Sequence, residues 1–244
     1  MKHFRLALSF LTTIPVGEIK DFSDSMWAEG IFFYPICGYI IAVVTVLPVF
    51  LLSYLFSTDP LLLGVIAVVL LTLITGALHL DGFADLCDGF LCPVDSKKRR
   101  IEIMHDSRVG SFGVVGLVLL LLVKFASLSV ILKNGNYFEI SAVIILARFF
   151  IVLLAMISEY PNEKGIGKFV IGRISGKSVL LSLLFILPCL FSLKIIVLTV
   201  LLLLIVLLLR SVSDKLIGGV TGDVLGACCE ICETFGFLVL AVSI

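Results

Sequence analysis

Seven stretches of this chain run for about 15 to 25 largely apolar residues, and about 20 are needed to cross the hydrocarbon core of a bilayer. They fall at 31–56, 61–80, 111–132, 137–157, 178–193, 195–209 and 225–244. The pattern predicts an all-α fold: a polytopic integral membrane helical bundle of about seven transmembrane helices, in a single domain over residues 1–244. The fifth and sixth stretches are short. Lys177, Lys194 and Arg210 fence them with side chains long enough to snorkel to the interface. One long segment kinked at Pro188 is the alternative, but two short spans agree better with the charge map. Residues 4–16 lack a small-residue cleavage site and are not read as a cleavable signal peptide.

Under this map the N-terminal arm and residues 81–110, 158–177 and 210–224 share one side of the membrane. Of the 18 lysines and arginines, Lys133 and Lys194 lie opposite, Lys124 and Arg148 lie within spans, and all the others lie on that shared side. Positive charge stays inside, so the N-terminus is expected in the cytoplasm and the C-terminus outside, in a multi-pass protein of the cell (inner) membrane. A six-span map would send 210–224 outward and spoil the asymmetry. The chain is 60% hydrophobic and 15% charged with a mean hydropathy of +1.23, which excludes an ordinary soluble domain. Its formal net charge of zero argues against bulk electrostatic binding, so no nucleic acid partner is expected. Cys37, Cys189, Cys228, Cys229 and Cys232 lie in apolar stretches and read as small buried hydrophobes. The Cys229–Cys232 CxxC has no second pair or histidine nearby to complete a zinc site.

Where the second span ends stands His79-Leu80-Asp81-Gly82-Phe83-Ala84-Asp85-Leu86-Cys87-Asp88-Gly89. Positions i, i+4 and i+7 of a helix share an arc of roughly 60°, so Asp81, Asp85 and Asp88 project on one face. Three carboxylates beside lipid-grade sequence need a compensating partner. A hard cation such as Mg²⁺, which takes carboxylate and phosphate oxygens together, supplies one. A second acidic array opens the last span: Gly222 and Asp223, then Glu230 and Glu233. Helix capping accounts for Asp223 alone and does not explain Glu230, two turns further on with no cation nearby in sequence.

Two cationic pieces lie on the same side. Arg108 is suited to holding phosphate oxygens, with Asp106 beside it to orient it or join a metal shell; an ordinary surface ion pair is the plainer alternative. Lys164, Lys168 and Arg173 sit in a Gly-rich loop able to cover a diphosphate, or simply to set topology. His79 and His105 are candidate proton carriers or substrate contacts, against a plainer capping or solvated role. Residues 95–106 are expected to form a short interfacial helix capped by Asp95. Lys97 to Arg100 reads as an orientation signal or a headgroup anchor. Arg148 should face a polar interior or an acidic residue of another helix.

The stretches HLDGFADLCDG, IMHDSRVGSFG and GGVTGDVLGACCEICE, with FLTTIPV, Glu29 and FYPICG near the start, closely resemble the adenosylcobinamide-GDP ribazoletransferases, also called cobalamin (5'-phosphate) synthases. The resemblance covers essentially the full chain. It implies a late step of cobalamin assembly: adenosylcobinamide-GDP is joined to α-ribazole or its 5'-phosphate, GMP is released, and Mg²⁺ is used. A ribose hydroxyl attacks the phosphorus nearer the cobinamide. The residues then divide as metal ligands and catalytic groups (Asp81, Asp85, Asp88, Asp223, with Glu230 in the shell) and substrate contacts (His79, Asp106, Arg108, Lys164, Lys168, Arg173, Gly222, Glu230, Glu233). Asp88 is one candidate to take the proton of the attacking hydroxyl instead. The carboxylates of Asp81, Asp85, Asp88 and Asp223 are expected to line one cytoplasm-facing cavity with Arg108 at its rim. The enzyme alternative is a CDP-alcohol-phosphotransferase-like protein, although Asp85 follows Ala84 where that pattern has arginine. An ion-coupled transporter or a purely structural subunit are the readings from other classes, and the sequence leaves a homo-oligomer open.

Overall fold

Leucine, isoleucine and valine offer no polar group to a backbone amide, so in an apolar setting each segment must close its hydrogen bonds on itself. The computed structural model describes residues 1–19, 23–161, 166–190 and 192–243, and every regular element among them is helical. A short helix α1 (Lys2–Leu11) and α2 (Ser25–Gly30) come first; a single 3₁₀ turn, Ile31–Phe33, joins α2 to α3 (Tyr34–Phe56). Helix α4 (Pro60–Thr75) starts with Asp59 accepting the Leu61 amide at 2.8 Å and with proline at its first position.

The expected second span, 61–80, is broken. Gly76 and Ala77 take left-handed backbone conformations, with the Ala77 amide donating to Thr72 at 3.1 Å, and the chain leaves at 93° into α5 (Leu78–Leu91). Thr13, from the FLTTIPV segment, donates through its amide to the Ile74 carbonyl at 2.8 Å and through its hydroxyl to Leu73 at 3.1 Å. The N-terminal arm thereby satisfies carbonyls that the end of α4 would leave open.

Next come α6 (Lys97–Met104), α7 (Ser111–Lys133), α8 (Tyr137–Ile157), α9 (Gly176–Ile186), α10 (Leu193–Ile217) and α11 (Gly222–Val242). The cap of α6 is Ser96, which accepts the Arg99 amide, and not Asp95. Among the described residues, and counting Ser25–Phe56 as one, five helices are long and apolar enough to cross a membrane, and the bent α4–α5 pair would make a sixth. The expected 178–193 span is the remaining one; it appears as the shorter apolar segment Gly176–Cys189, with Pro188 inside a 3₁₀ turn at its end.

Helix α8 packs between α3 and α11, and α11 also packs against α5, α7 and α10. The most apolar 18-residue stretch of α8 is 78% buried, whereas that of α10 is 28% buried and turns Val200, Leu204 and Leu208 outward. A helix buried all round is the centre of the bundle, and one with an exposed leucine stripe is its lipid-facing rim. At one end of the bundle the Lys97 ammonium donates to the Asp214 carbonyl at 3.1 Å, so α6 and the end of α10 share a side, as the loop charges required.

Candidate active site

Two helices far apart in sequence meet at that end through glycine. A Cβ added at Gly82 of α5 would lie 2.8 Å from the Asp223 carbonyl oxygen and 3.0 Å from its Cα, so the backbones of α5 and α11 touch there. Gly226 of α11 also lies against the backbone of His79, where an added Cβ would be 3.3 Å from its Cα. Small residues let helices approach to this distance, and the first turns of both then face one space. Thr221 caps α11, its hydroxyl accepting the Val224 amide and lying 3.3 Å from an Asp223 carboxylate oxygen. The preceding Gly219 packs against the chain itself: an added Cβ would lie 2.4 Å from the Glu159 carbonyl.

The result is a cavity of about 300 Å³ whose polar lining includes His79, Asp81, His105, Thr221 and Asp223. Gly222 lines it as well, at the start of α11. Asp81 is exposed and Asp223 half-buried, whereas Asp85, one turn beyond Asp81, does not line the cavity as expected, though it lies within electrostatic reach of Asp223, Asp81 and Asp88. Among the described residues no lysine or arginine forms an ion pair with Asp81, Asp85 or Asp223. Burial, and after it the charge of Asp223, pushes the hydroxyl of Tyr160, on the cavity wall, above its ordinary value.

This donor set fits Mg²⁺ chemically. The oxygens are hard and anionic, and among the described residues none is paired with a lysine or arginine. Among the described residues no three acidic, histidine or cysteine side chains close into a complete metal site. An incomplete protein shell is what Mg²⁺ generally uses, because phosphate oxygens and water fill the remaining positions.

Asp88 does a different job from the one expected. Its carboxylate accepts the Gly110 amide at 2.7 Å and the Gly113 amide at 2.9 Å, capping α7 from a neighbouring helix. Added Cβ atoms at Gly110 and Gly113 would come within 2.4 Å and 2.5 Å of the same carboxylate, so both glycines make room for it. With both oxygens engaged by amides, Asp88 lies outside the lining of the Asp81–Asp223 cavity.

Glu230 and Glu233 also require correction. The Lys124 ammonium of α7 lies 2.6 Å from Glu230 and 2.7 Å from Glu233, and the Arg148 guanidinium of α8 is hydrogen-bonded to the other oxygen of Glu233. All four side chains are buried. The cationic partners of Glu230 and Glu233 are in place already, on other helices, and neither residue lines the cavity. Arg148 faces an acidic residue of another helix, as expected.

Arg108 is not at the cavity rim. Its guanidinium pairs with Asp106 at 2.9 Å on the surface, over a separate depression beside Asp88. The Arg108 hydrogen bonds hold the Asp106 carboxyl down at about 2. Lys168 sits 4.7 Å above the Phe169 ring, Arg173 is exposed, and neither lines the cavity, although Gly167 does. Lys164 lies outside the described residues. Phe10, Trp27 and Tyr34 form another part of the lining. Phe10 opens FLTTIPV and Tyr34 lies within FYPICG, yet nothing in either segment joins them to Trp27 in one cavity, whereas Thr221 stands before Gly222-Asp223 as a helix cap would.

A family profile described as cobalamin-5-phosphate synthase matches residues 3–241. A protein of Clostridium tetani named adenosylcobinamide-GDP ribazoletransferase is 33% identical, over 97% of this chain and 95% of its own length. Proteins with the same name from Acinetobacter baumannii, 33% identical over 100% of this chain and 98% of theirs, and from Syntrophobacter fumaroxidans, 35% identical over 95% and 94%, are similar throughout. No solved structure matches.

Proposed function

The chain belongs to the cobalamin-5-phosphate synthase family, and we propose that it joins adenosylcobinamide-GDP to α-ribazole or its 5'-phosphate, with release of GMP, at the α5–α11 cavity. The observation that carries this is the convergence of Asp81 and Asp223 on one cavity through the backbone contact at Gly82. Transfer between phosphate esters requires little covalent chemistry from a protein; positioning and charge stabilisation do most of it.

Asp81, Asp85 and Asp223 are the residues that would hold Mg²⁺, which when bound would offset the charge of the diphosphate. Thr221 fixes the start of α11 and steadies Asp223. The Gly82 contact holds the two acidic helices at a set separation, and the bundle walls limit water on the apolar side. Lys168 and Arg173 flank Gly167 and Val170 of the cavity lining and, with Lys164 from the same basic stretch of sequence, are suited to attracting an anionic substrate from solution. The basic residues gathered at this end, Lys97 to Arg100 among them, support a multi-pass placement in the inner membrane with the cavity facing the cytoplasm.

An ion-coupled transporter is less well supported. The most buried carboxylates among the described residues, Glu230 and Glu233, are already paired with Lys124 and Arg148. The decisive test supplies purified protein with adenosylcobinamide-GDP, α-ribazole 5'-phosphate and Mg²⁺ and follows GMP by chromatography. GMP formation that needs both substrates and is lost in Asp223→Asn is the expected result. Full activity in Asp223→Asn would remove α11 from the site.

A further inference from the structure

The cavity lining is of two kinds. Besides the carboxylates it includes an aromatic wall built from three separate segments: Phe10 at the end of α1, Trp27 in α2 and Tyr34 at the start of α3. Phe10 and Trp27 pack edge to face with centroids 5.3 Å apart, and Phe10 and Tyr34 stack at 6.4 Å. Ile31 and Ile151 line the cavity as well. His79 also lines the cavity; it is 4% exposed, and its Nδ1 is buried without a hydrogen-bond partner. Buried polar atoms are rarely left unpaired, so a ligand hydroxyl is a natural partner for it.

Resting on the function proposed above, we infer that this wall seats the flat base of α-ribazole, with the ribose turned toward His79, Asp81 and Asp223. Size decides which substrate enters. At about 300 Å³ the cavity is at the small end of ligand pockets, enough for a nucleoside and far too small for a corrin macrocycle with its side arms. Polarity decides which base enters. Guanine, the flat base at the other end of the larger substrate, carries several edge groups that need hydrogen-bond partners. The wall presents aromatic faces and aliphatic carbons, which suit a base with an apolar edge. The larger substrate then delivers its diphosphate from the side on which Asp81 is exposed.

Trp27 is the chain's single tryptophan, so it reports on this wall directly. Purified wild-type protein is titrated with α-ribazole alone, and separately with GMP, with tryptophan excited at its red edge. The expected result is a saturable change in emission with α-ribazole and none with GMP at the same concentration. Steady-state kinetics of Trp27→Leu should show a KM for α-ribazole raised about tenfold, as loss of one stacking partner predicts, with the KM for adenosylcobinamide-GDP within about twofold. Trp27→Phe should recover most of the loss. Emission that responds to GMP and not to α-ribazole, or stays flat at α-ribazole concentrations that saturate GMP release, overturns the inference while leaving the function standing. An equal rise in both KM values overturns it as well. Absence of GMP release from the wild-type protein would instead overturn the function.

Discussion

Helix α11 carries acidic residues with opposite roles two turns apart. Asp223, in its first turn, faces a cavity with no lysine or arginine paired to it among the described residues, and shares that cavity with Asp81. Glu230 and Glu233, deeper in the bundle, are locked to Lys124 and Arg148. The first arrangement leaves negative charge available for a cation and phosphates; the second neutralises it within the protein. An acidic residue inside a membrane segment is therefore informative only once its partner is known.

The largest expected effect comes from breaking the neutralised region. Lys124→Met strands the Glu230 carboxylate in the core and should cost about 3–5 kcal/mol of stability, seen as an early thermal transition in detergent. Removing one charge of each sign together, Lys124→Met with Glu230→Met, leaves Glu233 with Arg148 and should restore most of it. Equal losses in the single and double variants would show that the pairing is not what matters. In the open region the effect moves from stability to rate. Asp223→Asn should lower GMP release about 10²- to 10³-fold while the thermal transition stays in place. A lowered transition with normal turnover per folded molecule would exchange the roles assigned to the two regions.

Between these extremes stands Asp88. Asp88→Ala removes the α7 cap and should cost about 0.5–2 kcal/mol, and excess Mg²⁺ should not rescue whatever activity is lost. Partial rescue of Asp85→Asn by Mg²⁺, read in the same assay, is the expected contrast; rescue of Asp88→Ala would return that residue to the metal shell. The smallest effect belongs to Arg108. Its ion pair is solvent-exposed, so Arg108→Ala should leave the thermal transition unmoved and both KM values within about twofold.

The legibility of the chain follows the range of each interaction. Apolar run length dictated helices, and loop charge put residues 81–110 and 210–224 on one side, so the meeting of Asp81 with Asp223 could be expected. Helical periodicity grouped Asp88 with Asp81 and Asp85, yet it carries no information about the amides of Gly110 and Gly113 on another helix. Glu230 looked unpaired because Lys124 and Arg148 lie far away in sequence, although both stood out as cations inside apolar spans. The break at Gly76–Ala77 was hidden inside an apolar run that hydropathy treats as continuous. Phe10, Trp27 and Tyr34 come from three elements, and nothing local marks them as one wall.

The position of α11 in chain order bears on how this protein is made. Every helix it packs against, α5, α7, α8 and α10, precedes it. During synthesis Lys124 and Arg148 reach the bilayer before their carboxylates exist, and Asp81 waits without Asp223. Arrival of α11 cancels two stranded cations and completes the cavity in one event. Until then the nascent chain lacks one wall of the cavity, and the same pairing that closes it opposes withdrawal of the helix afterwards.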